Sequence, residues 1–306
     1  MLGCAVTGAG DMVDAEWGPP RAPTDASSAI TIAEPGHPDL PREPIGHASA
    51  LAAAAVLRLA QHVPSRSIVL RVRKGLPLAG GQGGSAASAV AGAVATNVLL
   101  GAPLPQDALL AAALDAESAV AGRHTDNVAP ALMGGVVLVR SVDPLDIVRI
   151  ASPPELRVVL VQPAQRLRTS DARAVLPSTV SRELALRQSA NIAALVVALG
   201  SADYDLLRRA LDDRIAEPVR APLLPGFVEA KAAALEAGAH GCSISGAGPT
   251  SFAFASDDGT AERIARAMTA AYASRGVEAS GRVGRIDTHG ARVEVLSEGD
   301  VLPIPC

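Results

Sequence analysis

Residues 76–89 read LPLAGGQGGSAASA, with glycines at 80, 81, 83 and 84 followed at once by Ser85 and a run of small residues. Glycine lets a backbone turn tightly and bring its N–H groups up to an anion without interference from a Cβ. A helix starting directly afterwards adds four unpaired N–H groups and a partial positive charge. The chemistry of this window is phosphate binding, with the Ser85 hydroxyl placed either to cap the helix or to coordinate a cation. The same residues also describe a flexible connector ahead of a core helix. Two familiar phosphate loops are excluded, because no lysine follows the glycines as in GxxxxGK[ST] and GxGxxG is not spelled.

Further along, Glu117 precedes the string HTDNVAPALMGG at 124–135. A lone helical glutamate is ordinarily a solvated face residue, and the short polar residues can form an Asx-type turn. Magnesium that arrives with a nucleotide takes oxygen ligands, one or two from protein, and Ser85 with Glu117 can supply such a pair. In the second half, SISGAGPTSFAF at 243–254 reads as strand, tight turn and returning strand. Arg173 in TSDARAVLP (169–177) and Arg220 in EPVRAPLLPGF (217–227) offer the planar two-pronged geometry that a carboxylate needs.

Taken together these strings are similar to the motifs of the GHMP kinases and, within them, of the homoserine kinases. The second GHMP motif runs Pro-x-x-x-Gly-Leu-Gly-Ser-Ser-Ala-Ala, which Pro77, Gly81, Gly83, Ser85, Ala86 and Ala87 match. Gln82 and Gly84 stand in place of its Leu and first Ser. HTDNVAPALMGG resembles the homoserine-kinase segment HADNVAPALxGG, and Ser245–Thr250 match the third motif, SGAGPT. The resemblance implies a two-lobed α+β fold, with an N-terminal βαβ lobe of ribosomal-protein type and a ferredoxin-like C-terminal lobe. It implies ATP and Mg²⁺, with Lys74, Pro77, Gly80, Gly81, Gly83, Gly84, Ser85, Ala86, Ser245, Gly246, Ala247 and Gly248 around the nucleotide and Ser85 and Glu117 on the metal. By the same resemblance His124, Asp126, Asn127, Thr169, Arg173 and Arg220 hold the phosphoacceptor, and no residue is assigned as general base. The implied reaction is phosphorylation of the side-chain hydroxyl of L-homoserine. Another hydroxyl metabolite as acceptor, or a non-catalytic nucleotide-binding relative, are the alternatives. The family's first motif, Pro-x-x-x-x-Asn-Leu-Gly-Pro-Gly-Phe-Asp, would fall just before Met1, so the chain is expected to start late or to carry a deletion.

These residues need elements to hold them. Residues 1–17 read as strand, turn and strand about Gly8 and Gly10, and 19–44 as a loop with a short strand at 29–33. Helices are expected over 45–61, 85–100 and 105–121, with an alternating strand at 68–73. A loop over 122–130 should lead to a short helix and a strand at 136–140. The second half gives strands at 156–162, 242–245, 251–255, 277–287 and 291–296, and helices over 181–199, 203–211, 226–237 and 258–275. A boundary near Ser152-Pro153-Pro154 divides 1–152 from 153–306.

The composition of the 306 residues is globular, 49% hydrophobic and 19% charged, but aromatics are only 2%. The core must therefore be assembled from small aliphatic contacts. A net charge of −4 gives no reason to expect a nucleic-acid partner. The three cysteines, Cys4, Cys242 and Cys306, show no metal-ligand spacing and fit a reducing compartment. No leader pattern opens the chain, and the most apolar stretch, 86–100, is short of the roughly 20 residues of a membrane span. The expectation is a cytoplasmic protein acting on a small molecule, with no nucleic-acid or membrane partner and a homodimer as a possible assembly.

Overall fold

The structure, a computed structural model, describes residues 1–20 and 25–294. Along the chain run β1 (Leu2–Cys4), β2 (Met12–Pro20), β3 (Ile30–Glu34), α1 (Ala48–Leu59), β4 (Arg66–Arg73), α2 (Gly84–Leu99), α3 (Gln106–Val120) and α4 (Thr125–Met133). Then come β5 (Val136–Val142), β6 (Leu145–Ile150), β7 (Arg157–Pro163), α5 (Thr169–Ala174), α6 (Arg182–Ser201), α7 (Tyr204–Ala210) and α8 (Glu217–Arg220). The last elements are α9 (Phe227–Glu236), β8 (Cys242–Ile244), β9 (Ser251–Ala255), α10 (Asp258–Ser274) and β10 (Ala279–Arg285).

Three sheets organise these elements, in the orders β1-β5-β6, β2-β4-β3 and β10-β7-β9-β8. β3 and β4 are parallel and joined through α1, which makes the expected βαβ unit, with β2 antiparallel on the other edge of β4. In the third sheet the strands lie in the order fourth, first, third, second, all antiparallel, with helices after the first and third strands. That is the ferredoxin-like βαββαβ arrangement.

The scarcity of aromatics is resolved by close helix contact. Ala52, Ala55, Ala86, Ala89, Ala93, Ala112, Ala113 and Ala116 from α1, α2 and α3 form one buried cluster. A Cβ on Gly92 would lie 2.4 Å from the Ser49 carbonyl oxygen, so α1 and α2 cross at a distance only glycine permits there. The Ser49 hydroxyl donates to Ser88 O at 2.9 Å across the same contact. In the other lobe α10 lays Ile264, Met268 and Tyr272 on the sheet, and the Tyr272 hydroxyl meets Ser251 Oγ at 2.5 Å.

Several expectations are corrected. The segment 122–130 is not all loop: α4 begins at Thr125 and runs through Pro130. Proline has no N–H to give to the carbonyl four residues back, that of Asp126. Gly3 of β1 lies against that carbonyl so closely that a Cβ would sit 1.7 Å from the oxygen. β6 was missed because its exposed, charged residues mask the alternation. β1 and β2 are both strands but join different sheets. The expected helix from 45 begins at Ala48, after a 3₁₀ turn at Pro44–Gly46, because His47 is extended. The short helices α5 and α8 were not foreseen. Residues 291–294 carry no regular structure, and the rest of the strand expected at 291–296, like Cys306, lies outside the described residues. Among the described residues α6, not the stretch at 86–100, is the helix whose length and composition would suit a membrane span, and only Asn191, Ala198 and Leu199 on it are buried. After β10 the chain returns to the first lobe, where Asp287 accepts from Gly135 N at 2.7 Å and donates to Ala5 O at 2.9 Å.

Candidate active site

The glycine loop is the junction of the two lobes. Gly81 and Gly83 have φ of 73° and 72°, in the left-handed region that favours glycine. A Cβ on Gly81 would lie 2.5 Å from Ser245 O and 2.7 Å from Gly248 O, so the loop is pressed backbone to backbone on the SGAGPT turn. The Ser245 hydroxyl donates to Gly81 O at 2.7 Å and Thr250 N donates to Gly80 O at 3.3 Å. At the loop's tip a Cβ on Gly83 would come within 3.4 Å of Asn127 on α4. The two glycine turns and the HTDN segment, far apart in sequence, therefore meet at one place.

Gly83 caps α2, with no side chain bonded to the first turn, which leaves that helix end open to an anion. The capping alternative for Ser85 falls away, since Ser85 lies inside the first turn. Ala86 beside it is fully buried. Pro77 supports the loop from below, its ring lying where a Cβ on Gly80 would come to 2.6 Å.

Lys74, expected beside the phosphates, is held behind the glycine loop by protein partners. Its ammonium is paired with Asp11 and donates to Gly84 O at 2.8 Å and Ser88 Oγ at 2.9 Å. All three ammonium donors are thereby used on protein. Asp11 also accepts from Gly75 N and Leu76 N at 3.1 Å each and from Ser88 Oγ at 2.5 Å. The pair is a buried bolt behind the loop that fixes where α2 starts. Asp11 was missed by the sequence reading. The available signal was that Lys74, one of only two lysines in the chain, lies between a core strand and the glycine loop and needs a counter-charge once buried.

Gln82 has an equally specific setting. Its Nε2 donates to Gln162 Oε1 at 3.0 Å and Thr250 Oγ1 at 3.1 Å, while its Oε1 accepts from Arg282 at 3.0 Å. Each of these partners belongs to the second lobe. A leucine at this position could not make these bonds.

Beside the HTDN segment Glu117 is buried in α3, and Nδ1 of His124, at the N-cap of α4, lies 2.8 Å from its Oε1. Its other oxygen, Oε2, is buried without a partner. The opposite ring nitrogen of His124 is contacted by Arg173 from α5. Arg220 is half-buried, and its guanidinium donates to Ala172 O at 3.0 Å and Gly246 O at 2.9 Å. Burial foremost holds the Arg220 pKa below its ordinary value; the Asp213 carboxylate opposes this, and the neighbouring Arg173 charge adds to it. Among the described residues neither arginine is in an ion pair. Thr169 begins α5 one helical turn before Arg173. Asp126 and Asn127, together with Gly81, Gly83, Ser245 and Gly246, line a cavity of about 1310 Å³ whose walls are otherwise largely apolar. Ala247 is half-buried within the turn.

The arrangement suits a small-molecule phosphotransferase: two glycine turns pressed together where the lobes meet, a buried carboxylate held by His124, and two guanidinium groups, one bonded to that histidine and one to the SGAGPT turn. Two family profiles match the chain, "GHMP kinases N terminal domain" over residues 48–135 and "GHMP kinases C terminal" over residues 195–274. The fold and loops thus define a GHMP-type kinase, an enzyme that phosphorylates a hydroxyl group with ATP. The relatives are more particular. The homoserine kinase of Chlorobium phaeobacteroides is 42% identical over 282 residues, which covers 90% of this chain and 87% of that protein. That of Arabidopsis thaliana is 41% identical over 297 residues, 95% and 79% of the two chains. The crystal structure of homoserine kinase from Cytophaga hutchinsonii superimposes with a TM-score of 0.87 at 36% identity, covering 94% of this chain and 90% of that one. The chain belongs to the homoserine kinase family.

Proposed function

We propose that this enzyme transfers the γ-phosphoryl group of ATP to the side-chain hydroxyl of L-homoserine, a step of threonine biosynthesis carried out in the cytoplasm. One observation carries the acceptor assignment: Arg220 is bonded to the glycine turn at Gly246 O and lies near enough to Arg173 to feel its charge, and neither makes an ion pair with a described carboxylate. Two neighbouring guanidinium groups that make no direct ion pair with a described carboxylate favour an anionic ligand, and an amino-acid carboxylate supplies one. Asp126, at the cavity edge with Asn127, is suited to the acceptor's ammonium group.

The residues at the cradle fit a magnesium-bound nucleotide. Glu117 Oε2 is buried and unsatisfied, as an oxygen awaiting a cation would be, and the Ser85 hydroxyl has no partner among the described residues. No cluster of three or more metal-ligating side chains exists among the described residues. Magnesium commonly binds through one or two protein groups and completes its shell with phosphates and water. When bound, the ion neutralises phosphate charge. The protein's own contribution is positional. The open end of α2 and the two glycine turns present N–H groups to the phosphates, the arginines orient the acceptor, and apposition of the lobes excludes water. No side chain is assigned as general base. We read 1–152 as the nucleotide lobe and 153–306 as the partner lobe, since β6 closes the first sheet system at Ile150 and β7 opens the next at Arg157. Residues 286–291 lace back into the first lobe, and a homodimer is the assembly we propose.

The test is ADP release with homoserine against other small hydroxyl compounds, in the parent and in R173A and R220A. KM for homoserine should rise at least tenfold in each variant while Mg·ATP affinity stays unchanged. Indifference to both changes would point to another acceptor, and tight Mg·ATP binding without turnover to a non-catalytic binder.

A further inference from the structure

The contact between Glu117, His124 and Arg173 joins what the kinase reading treats as two separate sites. Glu117 comes from α3, His124 from the cap of α4, and Arg173 from α5 in the other lobe. His124 Nδ1 lies 2.8 Å from Glu117 Oε1 and its Nε2 meets the Arg173 guanidinium. A guanidinium has only donors, so Nε2 must present its lone pair. The ring proton then resides on Nδ1 and is donated to the Glu117 carboxylate. One imidazole thus holds both neighbours at once, and only one oxygen of Glu117, the buried Oε2, is left without a partner. Gly122 makes the approach possible: at φ 120°, its Cβ would come within 3.3 Å of the imidazole and 3.5 Å of Arg173.

We infer that His124 is a positioning residue that couples the nucleotide–metal half of the site to the acceptor half. The inference rests on the kinase reading above. A cation held by Glu117 Oε2 would fix the carboxylate. The fixed carboxylate holds the imidazole through Nδ1–H, and the imidazole holds Arg173 where an acceptor carboxylate meets it. Homoserine should therefore bind more tightly once the magnesium nucleotide is in place, and by thermodynamic reciprocity the nucleotide should bind more tightly once homoserine is present. The path runs through a discrete hydrogen-bonded chain across the lobe boundary, not through a general stiffening.

The experiment is calorimetric titration of homoserine into the full chain, with and without saturating Mg²⁺ and a non-hydrolysable ATP analogue. The parent should show homoserine affinity tightened about tenfold by the analogue, within the roughly 5- to 150-fold span of such couplings. In His124→Ala the ratio should collapse to near one, while affinity for the magnesium analogue alone changes by less than about threefold. His124→Gln should recover part of the coupling, because its amide can donate to Glu117 and accept from Arg173 at the same time. Coupling undiminished in His124→Ala, or a folded His124→Gln no better coupled than His124→Ala, overturns the inference, as does a parent that binds homoserine equally with and without the analogue. A parent that neither binds homoserine nor releases ADP with it instead removes the kinase reading, so the two failures are distinguishable.

Discussion

Asp11→Ala should be among the most damaging single substitutions outside the reacting groups. The side chain is wholly buried, and its lysine partner is only 6% exposed. The ammonium of Lys74 would keep Gly84 O and Ser88 Oγ but lose its counter-charge, and the N–H groups of Gly75 and Leu76 would lose their acceptor. Breaking a buried ion pair from one side costs about 3–5 kcal/mol. Against a total stability of about 5–15 kcal/mol that is a large fraction. Trp17 on β2, the chain's only tryptophan, packs on the core of this lobe and provides a local fluorescence probe. With a urea slope of about 3 kcal/mol/M the Trp17 midpoint should fall by roughly 1–1.7 M. Because Lys74 also holds the first residue of α2, Mg·ATP affinity should weaken in parallel. The double variant Asp11→Ala, Lys74→Met should be less damaged than the sum of the two single ones, since it leaves no uncompensated charge. A loss below about 1 kcal/mol in Asp11→Ala, or simple additivity in the double variant, would refute the reasoning.

Gly81→Ala places a side chain at positive φ and drives it into Ser245 O, so about 1–3 kcal/mol of strain should appear as lower stability and weaker ATP binding by calorimetry; unaltered binding would mean that the loop does not need its contact with the SGAGPT turn. Gln82→Leu leaves Arg282 and Gln162 without that partner, and about 1–3 kcal/mol of lost bonding should show as faster hydrogen exchange over residues 77–84. If exchange there is unchanged, the side chain is not what ties the lobes at this point. His47 is buried with Nε2 on Pro35 O at 3.1 Å, and burial foremost, then the Lys74 charge, holds its pKa below 6.5. Its neutral form is the folded one, so its stabilising share is complete above about pH 6.5 and is lost as pH falls through the folded-state value, with a slope of at most about 1.4 kcal/mol per pH unit. His240, also depressed by burial, acts in the same direction. Urea midpoints between pH 7.5 and 5 should therefore fall less steeply in His47→Gln than in the parent, and equal slopes would exclude this role.

What could be read from the sequence was whatever is decided within a few residues. The strand at 251–255 and the tight turn before it were legible because glycine and proline determine backbone angles locally. The helices after residues 84, 105 and 257 were legible through small-residue and amphipathic runs. The glycine loop, the HTDN string and the two arginines were recognisable as chemistry before any of them had a place. Tertiary structure alone decided that Lys74 is spent on Asp11, that Gln82 bonds to the far lobe, and that His124 stands between Glu117 and Arg173. The reason is distance along the chain: Ser245 meets Gly81 across 164 residues and Thr250 meets Gln82 across 168. No local periodicity encodes such a pairing; it follows from which sheets form and how closely glycine and alanine let their backbones approach.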